Sequence, residues 1–207
     1  MRITDGFLLD AADPQMWGVT STGTGVDINQ GNGRLEMTID ADATPADGWP
    51  NYSAYCTTTC SFTGDFDASI DYALVDWPTA NGTSVGLDLL FPNSDEFFMV
   101  RESFSSGEEV YAGIWGNPRY WHSSPTTDPE GAVRFKRVND LITAYYEARG
   151  QWDVFGSIRR AGAVRIRLML LASGPEFAAA SGSEFAHKDV TVAFDNFAVE
   201  ASPPSCP

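Results

Sequence analysis

Histidine, cysteine and positive charge are all scarce in this chain, and each shortage removes a class of function. Among 207 residues there are two histidines, His122 and His187, and three cysteines. A structural zinc site draws four such ligands together, so these few scattered residues argue against one. Nucleophilic catalysis by serine or cysteine requires a partner base, and neither histidine stands in a recognisable nucleophile motif. Gly-x-Ser-x-Gly and phosphate-cradling glycine loops are missing as well. Thirteen Lys and Arg face 28 Asp and Glu, a net charge of −15, which repels nucleic-acid backbones and anionic membrane surfaces. No apolar run approaches the roughly 20 residues of a membrane-spanning helix. The opening Met-Arg-Ile-Thr-Asp-Gly also lacks the charged-then-apolar build of a signal peptide. Neither nucleic acid nor membrane insertion is expected.

Helical periodicity is nearly absent too. What is present is a succession of short alternating runs, punctuated by Gly, Pro, Asn and Asp, from one end to the other. Long runs with one apolar face, such as Val85, Leu87, Leu89 and Phe91 or Val164, Ile166, Leu168 and Leu170, predict strands of two packed sheets. Asn139-Asp140 and Arg149-Gly150 predict tight turns that fold residues 133–155 into a three-stranded meander. One short helical connector is expected over Pro175–Phe185, and the aromatic stretch Tyr120-Trp121-His122 is expected in a long loop. With 43% hydrophobic residues, the chain can bury one large core. The expected fold is therefore an all-β, two-sheet antiparallel sandwich, one domain over 1–201 with 202–207 as a tail or linker stub. The last strand, Thr191–Glu200, carries an apparent stripe of Val192, Phe194, Asn196 and Ala198.

Cys56 and Cys60 lie close enough in Cys-Thr-Thr-Thr-Cys to bridge a short loop, which leaves Cys206 alone in the tail. A local Cys56–Cys60 disulfide points to an oxidising, extracellular or cell-surface setting.

Several segments, in order, are similar to those of the concanavalin A-like lectin/glucanase superfamily. They are Asp5-Gly-Phe7 followed by Trp17, Gly31-Asn-Gly-Arg-Leu35, Phe62-Thr-Gly-Asp-Phe-Asp67, Arg134–Leu141 with Tyr145, Tyr146 and Trp152, and Ala193-Phe-Asp-Asn-Phe197. The resemblance implies a jelly roll whose concave face holds a glycan chain or an active site. In calcium-bearing members an amino-terminal acidic residue, a glycine-turn carbonyl and a last-strand carboxylate hold the ion, which maps onto Asp5, Gly33 and Asp195. A structural calcium there would suit a hard cation's need for oxygen ligands.

The Glu-x-Asp-x-x-Glu strand of the superfamily's glucanases is missing, as is the Gln-x-His strand of its alginate lyases. That absence favours a non-catalytic carbohydrate-binding or adhesion module, lectin-like, with a glycan or polysaccharide as partner. The candidate platform is Tyr111, Trp115, Tyr120, Trp121 and His122, aromatic groups on which a sugar face stacks, with Asp88 and Arg101 expected on the same face. Two alternatives stand beside it. One is a divergent glycoside hydrolase or polysaccharide lyase using carboxylates such as Asp88 or Glu102. The other is a self-assembling structural subunit of a surface layer, appendage or virion.

Overall fold

The computed structural model describes residues 2–9, 11–46, 51–80, 82–93, 96–104, 106–115, 120–173, 188–202 and 206, without the side chains of residues 114, 115, 120, 121 and 173. The described residues are all-β. Two antiparallel sheets enclose one main core, as the alternating runs predict. In chain order the strands are β1 (Arg2–Asp5), β2 (Trp17–Thr22), β3 (Thr24–Gly31), β4 (Arg34–Thr44), β5 (Asn51–Thr58), β6 (Phe66–Asp76) and β7 (Thr83–Leu90). They continue as β8 (Glu96–Ser103), β9 (Glu109–Trp115), β10 (Tyr120–Pro125), β11 (Glu130–Val138), β12 (Leu141–Ala148), β13 (Gln151–Arg159), β14 (Arg165–Ser173) and β15 (Val190–Ala201). The eight-stranded sheet runs β13-β12-β11-β6-β15-β4-β3, with β1 added to β15. The seven-stranded sheet runs β10-β9-β8-β7-β14-β5-β2.

The turn chemistry explains the meander. Asn139 and Asp140 have φ of 50° and 63°, and Arg149 and Gly150 have 55° and 75°. Such consecutive positive values belong to the two-residue hairpin turns whose twist matches that of the flanking strands. The core is built from the inward stripes of both sheets: Val85, Leu87 and Leu89 on β7, Ile166, Leu168 and Leu170 on β14, and Ile70, Phe135, Val192 and Phe194 opposite. A second, smaller apolar cluster of Val100, Val110, Ala112 and Met169 lies on the other face of the seven-stranded sheet.

Several expectations are corrected. The stripe of β15 does not run through Asn196 and Ala198. A bulge between Asp195 and Ala198, with Asn196 at φ 53°, shifts the alternation by one, so Phe197 and Val199 are buried instead. Residues 120–125 are not loop; they form β10, paired to β9 with Tyr120 opposite Trp115. The helix expected over Pro175–Phe185 lies outside the described residues.

The disulfide also differs: Cys60 pairs with Cys206, 146 residues away, and Cys56 is a free, buried thiol. The reason is the strand period. Cys56 shares the inward face of β5 with Tyr52 and Ala54, all fully buried, whereas Cys60 lies beyond the strand end and meets the tail. Burial pushes the Cys56 thiol up to about 12.

Candidate functional site

Alternation along each strand decides which polar side chains leave the core of the seven-stranded sheet. On β7, Val85, Leu87 and Leu89 point inward, so Ser84, Gly86 and Asp88 point outward. On β8, Phe97 and Met99 belong to the main core, so Glu96, Phe98, Val100 and Glu102 face outward. On β14, Ile166, Leu168 and Leu170 are inward, leaving Arg165, Arg167 and Met169 outward. Register then juxtaposes them: Arg167 lies opposite Asp88 across the β14–β7 ladder, and Asp88 opposite Phe98 across β7–β8.

Three charged groups meet there on one nitrogen. Arg167 Nη2 donates to Asp88 Oδ2 and, at 2.9 Å, to Glu96 Oε1. Because both oxygens accept from the same atom, they lie within about 6 Å of each other, two hydrogen-bond lengths at most. The Arg167 guanidinium sits over the Tyr55 ring at 4.1 Å. The Asp88 carboxyl is fully buried, while Glu96 is 41% exposed. Burial pushes Asp88 up to about 7, with Arg167 opposing and burial winning. Its Oδ1 has no hydrogen-bond partner among the described residues. Burial likewise pushes Glu102 up to about 7, against a hydrogen bond from Ser84. Glu102 stands four residues beyond the partner of Asp88 on β8, roughly 13 Å along the strand.

Of the residues expected at the platform, the structure describes the side chains of Tyr111, His122, Asp88 and Arg101. Tyr111 is 1% exposed; its hydroxyl bonds that of Tyr72 at 2.7 Å and its ring stacks on Tyr146 at 4.5 Å, which makes it a core residue. Arg101 shares the inward side of β8 with Phe97 and Met99, the face opposite Asp88. It ion-pairs with Glu109 at 2.7 Å, and Glu109 also accepts from Trp77 Nε1 at 3.2 Å. His122 is exposed and its ring lies 4.9 Å from that of Phe155. The side chains of Trp115, Tyr120 and Trp121 lie outside the described residues.

The carboxylates expected as calcium ligands, Asp5 and Asp195, both accept hydrogen bonds from the protein. Both carboxylate oxygens of Asp5 are committed to N–H donors, Phe7 N at 2.7 Å and Trp17 Nε1 at 2.8 Å. This ties the end of β1 to the Trp17–Phe197 ring pair, 4.7 Å apart. Gly33 occupies the β3–β4 turn at φ 77° beside Gly6. Asp195 Oδ1 accepts from Asn196 N at 2.6 Å, and Asn196 Nδ2 donates to Asp71 Oδ2 at 2.9 Å across the ladder. Asp5 thus staples the end of β1 to Phe7 and Trp17.

Sequence reasoning singled out Asp88 but missed Glu96, Arg167 and Tyr55. The available signal was the alternation Arg165-Ile-Arg167-Leu, which sets charges on the face of β14 opposite its apolar stripe and asks for an acidic neighbour across a ladder.

No protein-family model and no curated protein sequence matches this chain. Solved structures do match, along nearly its whole length. A prokaryotic β-1,3-1,4-glucanase (lichenase) derived from a mouse hindgut metagenome aligns with a TM-score of 0.66 at 16% identity, covering 97% of this chain and 99% of that one. The non-specific endo-β-1,3(4)-glucanase SCLam of glycoside hydrolase family 16 aligns at 0.68 and 10% identity, covering 97% and 90%. LamAcat from Zobellia galactanivorans aligns at 0.67 and 11% identity, covering 95% and 96%. The fold is the concanavalin A-like jelly roll. Such low identities establish architecture alone. The expectation of a non-catalytic binding or adhesion module is corrected in favour of its divergent-hydrolase alternative, because the structures matched along nearly the whole length include glucanases and a lichenase.

Proposed function

We propose that this protein is a glycoside hydrolase with a divergent active site on the outer face of the seven-stranded sheet, acting on a polysaccharide of the glucan class. The observation that carries the reading is the Asp88–Arg167–Glu96 cluster. Glycoside hydrolysis needs two carboxyl groups flanking the scissile bond, one protonated and one ionised, and a separation near 5 to 5.5 Å defines the retaining mechanism. Asp88 supplies the acid. Its buried carboxyl keeps a proton close to neutral pH, the property a general acid requires. Glu96, open to solvent on the neighbouring strand, supplies the carboxylate that attacks or stabilises the anomeric carbon. Arg167 positions both on one nitrogen, with its guanidinium held over the Tyr55 ring. The Asp88–Glu102 combination is set aside by distance, since roughly 13 Å along the strand exceeds the spacing of either glycosidase mechanism.

The pair sits on two adjacent strands rather than on one, which accounts for the absent Glu-x-Asp-x-x-Glu signature. The test is release of reducing ends from laminarin and lichenan by the wild type, Asp88→Asn and Glu96→Gln. Loss of a general acid or nucleophile lowers kcat by about 10² or more. The reading fails if the wild type releases none from either glucan, or if both variants keep the wild-type rate.

A further inference from the structure

The turn between β12 and β13 holds an arginine where an arginine is disfavoured. Arg149 and Gly150 both have positive φ, 55° and 75°, in a hairpin turn whose first position ordinarily takes Asn, Asp or Gly. A left-handed conformation is unfavourable for a residue with a Cβ and a long side chain, and strain of this kind gathers at functional sites. Among the described residues the guanidinium makes no ion pair. It nevertheless lines two clefts that meet at it, of about 640 and 750 Å³, and Asp128 is shared between them in the same way.

The larger cleft opens where β9 of one sheet faces β12 and β13 of the other, away from Asp88 and Glu96. Its walls combine Tyr111 and Tyr146 with Asp128, Arg149, Gln151 and Asp153. The Tyr146 ring is held in place, stacked on Tyr111 at 4.5 Å and edge-on to Phe155 at 6.1 Å. Asp128, Arg149, Gln151 and Asp153 are all exposed to solvent. The mixture is selective. Two carboxylates, in a chain of net charge −15, repel an anionic ligand, and the unpaired guanidinium opposes a bare cation. A sugar hydroxyl both donates and accepts, so it is served by carboxylate acceptors alternating with guanidinium and amide donors beside a fixed aromatic ring. A volume of this order suits a small ligand.

We propose that this cleft is a second binding site, for a neutral oligosaccharide, with Arg149 as its principal hydrogen-bond donor. The site is independent of the hydrolase reading. The test is a ¹⁵N–¹H NMR titration with laminaritetraose, run on the full chain in an Asp88→Asn background so that the probe is not consumed, alone and combined with Arg149→Gly or Asp153→Asn. The expected result is a set of shifts at residues 126–128 and 146–153 that saturates separately from any shifts around Asp88 and Glu96. Affinity should fall at least about tenfold in both added variants. Arg149→Gly should also raise the melting temperature, because glycine takes the left-handed conformation without strain; a merely structural arginine would not couple higher stability to lost binding. No shifts in those segments at millimolar laminaritetraose, or unchanged affinity in Arg149→Gly, would overturn the proposal. If the cleft binds but the wild type cleaves no glucan, the hydrolase reading alone falls.

Discussion

Replacing Asp88 by Asn should change how stability depends on pH, and the size of the change follows from the site. The Asp88 carboxyl is fully buried and titrates near 7 in the folded protein, burial outweighing the attraction of Arg167. In the unfolded chain an aspartate titrates near 3.9. The folded state therefore binds the proton more tightly, and between about pH 4 and pH 7 stability falls as pH rises. The difference of about 3 units, at 1.36 kcal/mol each, amounts to about 4 kcal/mol. An asparagine in place of Asp88 cannot titrate, so the variant lacks this slope. Its stability relative to wild type should rise by about 4 kcal/mol between pH 4 and pH 8. Glu102, also titrating near 7, adds a slope of the same sign, but it is present in both proteins and stands about 13 Å along the strand, so it cancels in the comparison. Urea unfolding followed by tryptophan fluorescence at unit pH steps reads the effect directly. Parallel wild-type and variant curves across that window would refute the account of Asp88 as a carboxyl kept protonated by burial.

Other parts of the structure make further claims. Arg137, 1% exposed, donates to the carbonyls of Phe62, Gly64 and Gly162 and lies over the Phe66 ring. Arg137→Met removes the guanidinium from the Gly64 and Gly162 carbonyls, while Phe62 O keeps Val164 N, and should cost on the order of 3–5 kcal/mol in chemical denaturation. Cys206→Ser removes a disulfide closing a span of 146 residues and should lower stability by about 2–5 kcal/mol under oxidising conditions but not in reductant. A thiol-reactive dye should leave Cys56 untouched in the native protein. A Cβ at Gly86 would stand 2.2 Å from the Met99 carbonyl oxygen on β8. Gly86→Ala should therefore disturb the β7–β8 ladder and lower the melting temperature well beyond the effect of a surface Gly→Ala change.

Much of the fold could be read from the sequence because its signals are local. Alternation marked most strands, and the dipeptides Asn139-Asp140 and Arg149-Gly150 marked two hairpins that the structure shows in register. β2 and β10 escaped: Trp17–Thr22 is a largely exposed edge strand of small polar residues, and Tyr120–Pro125 follows a run of Gly, Asn and Pro that reads as loop. The disulfide went wrong because closeness in sequence was taken for closeness in space, while the strand period turned Cys56 inward. The bulge at Asn196 was likewise invisible to a simple two-residue alternation. The candidate site was only half legible. Asp88 stood out as a charge on an apolar strand, but its partner Arg167 comes from 79 residues downstream, and Arg167 reaches back 71 residues to Glu96. Only the β14–β7–β8 register brings the three together, and register between distant strands is set by the whole core rather than by any local segment.

The measurement that bears most directly on the central claim is the anomeric configuration of the first product, followed by ¹H NMR while the wild-type protein acts on lichenan. Carboxyl oxygens within about 6 Å predict a double displacement and hence a β-configured reducing end that only later mutarotates. An α-configured first product, or no product at all from a correctly folded protein, would contradict the assignment of Asp88 and Glu96 as the catalytic pair.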